Sequence, residues 1–168
     1  MSRVRKISIA WYAIADFGMA SIAWAIFFFI RRAILTQPVT DAGVLQTDQQ
    51  FWLGIFFIPL GWLILYSILG SYHSLYSKSR LYEFTSTFIC SLIGSIVLFF
   101  ALLLDDAEND YRYYYAAFLI LFLLHFGFSF AGRWLILNLV KKQLLEGRIR
   151  FNTLLLGQPE TAARIFKE

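Results

Sequence analysis

The sequence predicts an all-α membrane protein, a bundle of four transmembrane helices, with the start of an α/β (Rossmann-like) domain at its C-terminus. Of the 168 residues, 59% are apolar and only 15% are charged, whereas a soluble domain usually carries about 25% charged residues. The mean hydropathy is +0.62. A chain of this size has too small an interior to hide so much apolar surface, so we expect its helices to contact the lipid bilayer.

Four apolar runs are long enough to cross a membrane, since a bilayer core of about 30 Å requires about 20 helical residues. The predicted spans cover residues 7–30, 51–69, 84–104 and 113–140. Each run must be helical, because lipid offers no partners to unpaired backbone groups.

The predicted domains are a four-span membrane domain over residues 1–140, a basic linker over 141–150 and a truncated cytoplasmic α/β domain over 151–168. The last segment reads as a short strand, a glycine and a helix, the order that opens a nucleotide-type domain. It lacks the full G-x-G-x-x-G pattern, so phosphate binding is not predicted.

The distribution of basic residues predicts the orientation. Of the fifteen Lys and Arg residues, only Arg31, Arg32 and Arg112 fall on one side of the predicted spans. The basic side should be cytoplasmic, which places both termini there. The net charge of +4 does not indicate a nucleic-acid partner, because the basic residues flank the apolar runs instead of forming one stripe.

Charged side chains at membrane depth are costly and therefore mark candidate sites. Asp16 lies about 13 Å along the first span, and Arg133 lies at a similar depth in the fourth, so we expect a structural intramembrane ion pair between them. A proton or substrate site is the less favoured alternative. His125 is the other intramembrane polar residue, expected to hydrogen-bond to Ser or Thr of another helix. Haem ligation is disfavoured because the only other histidine, His73, belongs to the predicted hairpin.

The predicted cytoplasmic hairpin between spans two and three ends at Glu83 and carries Tyr72 and Arg80. We predict no catalytic, cofactor-binding or metal-binding residue in this chain. The acidic loop at 105–110 is interpreted as solvated, since it lacks the spacing of a calcium loop. Aromatic residues near the span ends predict interfacial belts; they are Trp11, Tyr12, Phe51, Trp52, Tyr111, Tyr113, Tyr114 and Tyr115.

The order of several features resembles the N-terminal region of bacterial polyprenyl glycosylphosphotransferases. These features are four spans with Asp16 in the first, Gly70-Ser71-Tyr72 closing the second, basic residues and Glu83 opening the third, Arg133 late in the fourth, and Gly147-Arg148 ahead of the predicted strand 152–157.

The resemblance implies a bacterial inner-membrane protein of exopolysaccharide, capsule or O-antigen synthesis. The family transfers a sugar phosphate from a nucleotide sugar to undecaprenyl phosphate, using a C-terminal domain with an Asp-Glu pair and magnesium. That domain is absent here, so this chain alone is expected to be inactive, with polyprenyl phosphate a partner only of the missing domain. The resemblance implies that this part anchors the enzyme, makes homo-oligomer contacts and supports the soluble region.

Two other interpretations remain open. The chain could be a stand-alone scaffold or regulator of a polysaccharide assembly complex. A small transporter is the third possibility, since Pro59 with Gly54 and Gly61 could break the second span as in transporter binding sites. Helix packing is the favoured use of these residues, because no charge lies near them.

Overall fold

The computed structural model describes residues 8–35, 49–72, 78–103 and 111–146. Its helices are α1 (Ile9–Leu35), α2 (Gln49–Ile68), α3 (Arg80–Leu98) and α4 (Tyr111–Leu145), and α3 continues into a π-helical segment, Phe99–Leu103. All four are long and apolar enough to cross a membrane. The prediction of four such helices is confirmed, and the described residues contain no strand. The predicted strand and helix over 151–168 lie outside them.

The end of α1, at Leu35 rather than residue 30, and two further helix boundaries differ from the prediction by four residues or more. α3 begins at Arg80 rather than at residue 84, because Ser79 caps it: the Ser79 hydroxyl accepts a 3.1 Å hydrogen bond from the Tyr82 backbone N–H, a pattern that favours helix starts. Glu83 therefore belongs to the first turn of α3 and not to a loop. At the other boundary, α4 extends to Leu145, so the first half of the predicted linker continues the helix, as its Lys, Gln and Leu residues favour.

The turn after α2 is a Schellman motif, in which a residue with positive φ ends a helix. Gly70 has φ of 71°. Its N–H donates to the Ser67 carbonyl, and the Ser71 N–H donates to the Tyr66 carbonyl at 2.9 Å. The motif reverses the chain and directs Ser71 and Tyr72 back toward the bundle interior.

The packing order of the helices differs from their order in the chain. α1 packs against both α2 and α4, and α4 also packs against α3. α2 and α3 are consecutive in the sequence, yet of these packed helices they touch each other least. The four helices therefore form an open ring in the order α2, α1, α4, α3, and a cleft lies between α2 and α3.

We call the end of the bundle that contains Leu35 and Gln49 the Arg31 end. Its interior is a mainly aromatic cluster, called the aromatic core below, whose buried members are Trp24, Phe27, Phe28, Phe51, Tyr113, Ala117 and Leu121. Phe28 and Phe51 meet edge to face with ring centroids 5.1 Å apart, an arrangement that aromatic rings prefer.

Three predicted belt residues are instead part of the interior. Tyr12, Phe51 and Tyr113 are buried, whereas Trp11 and Trp52 are 66% and 61% exposed, as an interfacial belt requires. The buried three lie on the helix faces that point to the neighbouring helices, a distinction that nearness to a span end does not reveal.

Two glycines accommodate buried tryptophans. A Cβ atom added to Gly54 would collide with the Trp24 indole, and one added to Gly94 would collide with the Trp62 ring. Small residues allow such close approach in membrane bundles. By contrast, a Cβ atom on Gly61 would meet nothing within 4 Å.

Candidate functional site

Asp16 and Arg133 are in direct contact near the end of the bundle opposite Arg31. The Arg133 Nη2 donates to Asp16 Oδ2 at 2.8 Å, and its Nε donates to Oδ1 at 2.9 Å. Both side chains are buried, Arg133 to 1% exposure and Asp16 to 3%. The paired geometry is the bidentate arrangement in which arginine binds a carboxylate most strongly. It joins the first helix to the last.

Glu83 is a second buried carboxylate beside the same guanidinium. The Arg133 Nη1 lies 3.4 Å from Glu83 Oε2, and that oxygen also accepts a 2.5 Å hydrogen bond from the Tyr12 hydroxyl. The Lys78 ammonium lies 2.5 Å from Glu83 Oε1 and donates to the Ser71 carbonyl. We refer to Asp16, Lys78, Glu83 and Arg133 as the ion cluster.

Hydroxyl groups add further hydrogen bonds to the ion cluster. Thr87 Oγ1 accepts from Arg133 at 3.3 Å, and the Tyr72 hydroxyl donates to Asp16 Oδ2 at 2.9 Å. Burial, together with the neighbouring Asp16 carboxylate, raises the pKa of the Tyr72 hydroxyl well above its usual range. Tyr72 therefore stays protonated and remains a hydrogen-bond donor at physiological pH.

Aromatic rings cover both cations of the cluster. The Arg133 guanidinium lies 3.7 Å from the centroid of the Tyr66 ring, and the Lys78 ammonium lies 4.7 Å from that of Tyr12. Cation–π contacts of this kind strengthen when water is excluded. The rings thus shield the charges while contributing attraction of their own.

The ion cluster is balanced in charge, with two carboxylates against two cations. Breaking a buried pair by removing one partner leaves an uncompensated charge and costs about 3–5 kcal/mol. With every member of the cluster engaged by another, the arrangement suits a fixed joint between helices. It offers no vacant charge to a substrate or proton.

His125 lies next to the cluster, deeper in the bundle. Its ring stacks on Trp62 with centroids 3.5 Å apart, and its Nε2 lies 3.3 Å from both the Tyr66 hydroxyl and the Ser129 hydroxyl. The expected Ser or Thr of another helix is therefore replaced by Tyr66 of α2 and by Ser129 of its own helix. Among the described residues, no group of three or more His, Cys, Asp or Glu could hold a metal ion.

The three predicted hairpin residues lie in two different environments. Tyr72 and Glu83 point into the ion cluster, whereas Arg80 is exposed and donates to the Asn138 side chain at 3.4 Å. Lys78, Tyr12 and Thr87 were not predicted to contribute to the site. Lys78 resembles any basic loop residue in the sequence, and the helix cap at Ser79 indicates only that Lys78 directly precedes a helix.

Comparison with known proteins adds no identification. No family model, curated protein or solved structure matches the chain. The functional conclusion therefore depends on the residues and their arrangement.

Proposed function

We propose that this chain is a membrane anchor, and specifically the N-terminal membrane domain of a polyprenyl glycosylphosphotransferase. In this role the four helices hold the enzyme at the bacterial inner membrane, with both termini cytoplasmic. The sugar-phosphate transfer to undecaprenyl phosphate is the work of a separate catalytic domain of the same enzyme.

The observation that carries the anchor proposal is the closed, charge-balanced ion cluster. It ties α1, α3 and α4 together with the turn that follows α2. Each ion is buried and satisfied by another member of the cluster or by a hydroxyl. Because the charged groups of the ion cluster all bind one another, the cluster is better suited to stabilising the helix bundle than to transport or catalysis.

The positions of the cavities argue against the transporter alternative. A cavity of about 340 Å³ lies between α2 and α3, and one of about 610 Å³ lies between α2, the end of α3 and α1, which contributes Arg31. Neither is lined by a member of the ion cluster. A transporter would be expected to place its charged residues on a water-filled cavity near the midplane.

The family assignment is supported by the order of its features along the chain. Asp16, Glu83 and Arg133 belong to that order, and they meet in one cluster. Gly70 also belongs to it and closes α2 with positive φ. Three residues that carry the resemblance at separate points of the chain, Asp16, Glu83 and Arg133, therefore contact one another in the folded bundle.

The size of the native protein tests the family assignment. An antibody against residues 36–50 should detect, in host membranes, a band more than twice the 19.5 kDa of this chain. Those membranes should then transfer sugar phosphate from a nucleotide sugar to undecaprenyl phosphate. A band near 19.5 kDa would overturn the transferase proposal and favour the stand-alone scaffold.

Cysteine labelling tests the orientation. The single native thiol, Cys90, is buried, so an introduced cysteine can be labelled over a low background. With a membrane-impermeant maleimide, Tyr111→Cys should react in intact spheroplasts, and Ser8→Cys should react only after permeabilisation. The reverse pattern would contradict cytoplasmic termini.

A further inference from the structure

We propose that the cleft between α2 and α3 binds a glycerophospholipid from the leaflet at the Arg31 end. One acyl chain lies between the two helices, and the phosphate lies beside Arg31. This inference concerns a different face of the bundle from the ion cluster and does not depend on the transferase assignment.

The cleft is one continuous groove. The cavities of about 610 Å³ and about 340 Å³ share Phe57, Ile58 and Leu98 as lining residues, so the first opens into the second. Both volumes fall within the range of small-molecule sites, about 300–1,000 Å³. The larger cavity begins at Gln50 and the smaller one extends past Gly61.

The two parts of the groove differ in chemistry. The smaller cavity is lined almost entirely by apolar residues, including Ile64, Ile93 and Val97. The larger cavity adds Arg31 and Gln50 at its outer end. The Arg31 Nε donates to the Tyr113 hydroxyl at 3.3 Å. An arginine and a glutamine at the mouth of an apolar groove suit an amphipathic molecule with a phosphate head.

Along α2 the groove is longer than one leaflet, since its lining residues run from Gln50 to Ile68, about 27 Å at 1.5 Å per residue. Gly61 lies about 16 Å from Gln50, which is about half of the 30 Å hydrocarbon core. A phosphate at Gln50 and Arg31 therefore places the end of an acyl chain close to Gly61.

The shape of the groove favours a lipid chain over a helix from a second copy. A helix with its side chains is about 10–12 Å across and needs a groove of even width. The cavity at the Arg31 end is the larger of the two, while toward the opposite end the Ser71 and Ser86 hydroxyls lie 3.0 Å apart and hold the turn after α2 against α3.

The test uses the full chain purified in lauryl maltoside, supplied with palmitoyl-oleoyl phosphatidylglycerol and examined by native mass spectrometry. The wild type should retain one phospholipid. Gly61→Leu should reduce that retention at least tenfold, because its side chain enters the groove. Gly127→Leu is the matched control, since a Cβ atom there also meets nothing within 4 Å and the residue does not line either cavity.

A second pair of variants tests the phosphate position. Arg31→Gln should lower phospholipid retention several-fold, whereas Arg32→Gln should leave it unchanged. Thermal unfolding of each variant, with and without lipid, separates loss of binding from loss of folding, because only a folded protein that binds lipid gains stability from it.

Three results would overturn the proposal. The first is a wild type without bound phospholipid, or equal retention by Gly61→Leu and Gly127→Leu. The second is a bound mass that corresponds to a polyprenyl phosphate. The third is a dimer that Gly61→Leu disrupts, which would show that a second copy fills the groove. None of these results bears on the size of the native protein, so the two proposals fail separately.

Discussion

Different kinds of interaction stabilise the two ends of this bundle. Around the ion cluster, helices are joined by directional contacts between charges and hydroxyls, as in the bidentate Asp16–Arg133 pair. At the Arg31 end the helices meet through the aromatic core, in which Trp24 fits against Gly54. Lipid tails are as apolar as a leucine side chain, so apolar contact between helices gains little from the hydrophobic effect in a membrane.

Because of this difference, different kinds of substitution destabilise the two halves. In the ion cluster, removing one partner leaves a charge in hydrocarbon, so deletion is the damaging change. In the aromatic core, stability depends on close fit, so added volume at a contact is the damaging change.

Asp16→Asn should cause the largest loss of stability, about 3–5 kcal/mol, because the Arg133 charge remains buried without its main partner. The measurement is the free energy of unfolding in mixed micelles. The double variant Asp16→Asn with Arg133→Gln should lose less than the sum of the two single variants.

Glu146→Gln is the matched control for this prediction. The Glu146 carboxylate lies 3.9 Å from the Lys142 ammonium, an ion pair at the surface of α4, and such pairs contribute less than about 1 kcal/mol. If Asp16→Asn were no more destabilising than Glu146→Gln, the ion cluster would not be the joint described here.

Gly54→Ala should cost about 1–3 kcal/mol, the usual range for overpacking, because the new methyl group collides with the Trp24 indole. Gly61→Ala, on the same helix, should cause no loss, since its methyl group meets nothing and alanine favours a helix. Thermal unfolding of the two variants in one detergent makes the comparison. Equal effects would contradict the close fit at Gly54.

Ser79→Ala should lower stability by about 1 kcal/mol through loss of the α3 N-cap. Ser67→Ala is the control, because within the described ranges the exposed Ser67 hydroxyl bonds to the Leu63 carbonyl, one turn earlier in its own helix. Equilibrium unfolding resolves a difference of this size. An unchanged Ser79→Ala variant would show that the ion cluster alone holds the start of α3.

The smallest effect concerns alkaline pH. Because the pKa of Tyr72 is raised in the folded protein, the unfolded chain loses this proton first, and stability falls as the pH rises above about 10. Tyr72→Phe should make that fall shallower, whereas Tyr115→Phe, at an exposed position, should not. Melting temperatures across the alkaline range provide the test, and identical slopes for wild type and Tyr72→Phe would contradict it.

The helices were predictable because lipid imposes a simple rule of length and hydropathy. Two members of the ion cluster were also predictable as partners, since a carboxylate in the first span and an arginine in the fourth stand out against apolar neighbours. The start of α3 was missed because Arg80 and Glu83 resemble loop residues. The capping residue Ser79 was the available signal.

The remaining members of the site depend on which way a side chain points. Tyr12 and Trp11 are adjacent aromatic residues at one span end, yet Tyr12 is buried while Trp11 is 66% exposed. Hydropathy treats the two alike, and only the packing of α1 against α4 separates them. The same reason explains His125, whose stacking partner Trp62 comes from a helix that is not its neighbour in sequence.

The long sequence separation of the Asp16–Arg133 pair has a consequence for biosynthesis. The two residues are 117 positions apart, so α1, α2 and α3 must all be made before the pair can form. Until then α1 holds an unmatched carboxylate, and when α4 arrives its arginine carries an insertion cost of about 2.5–3.5 kcal/mol at mid-helix. The bundle is therefore completed when α1 and α4 come into contact. A nascent chain without α4 exposes the carboxylate of Asp16 without its arginine partner, a feature that membrane quality control is able to recognise.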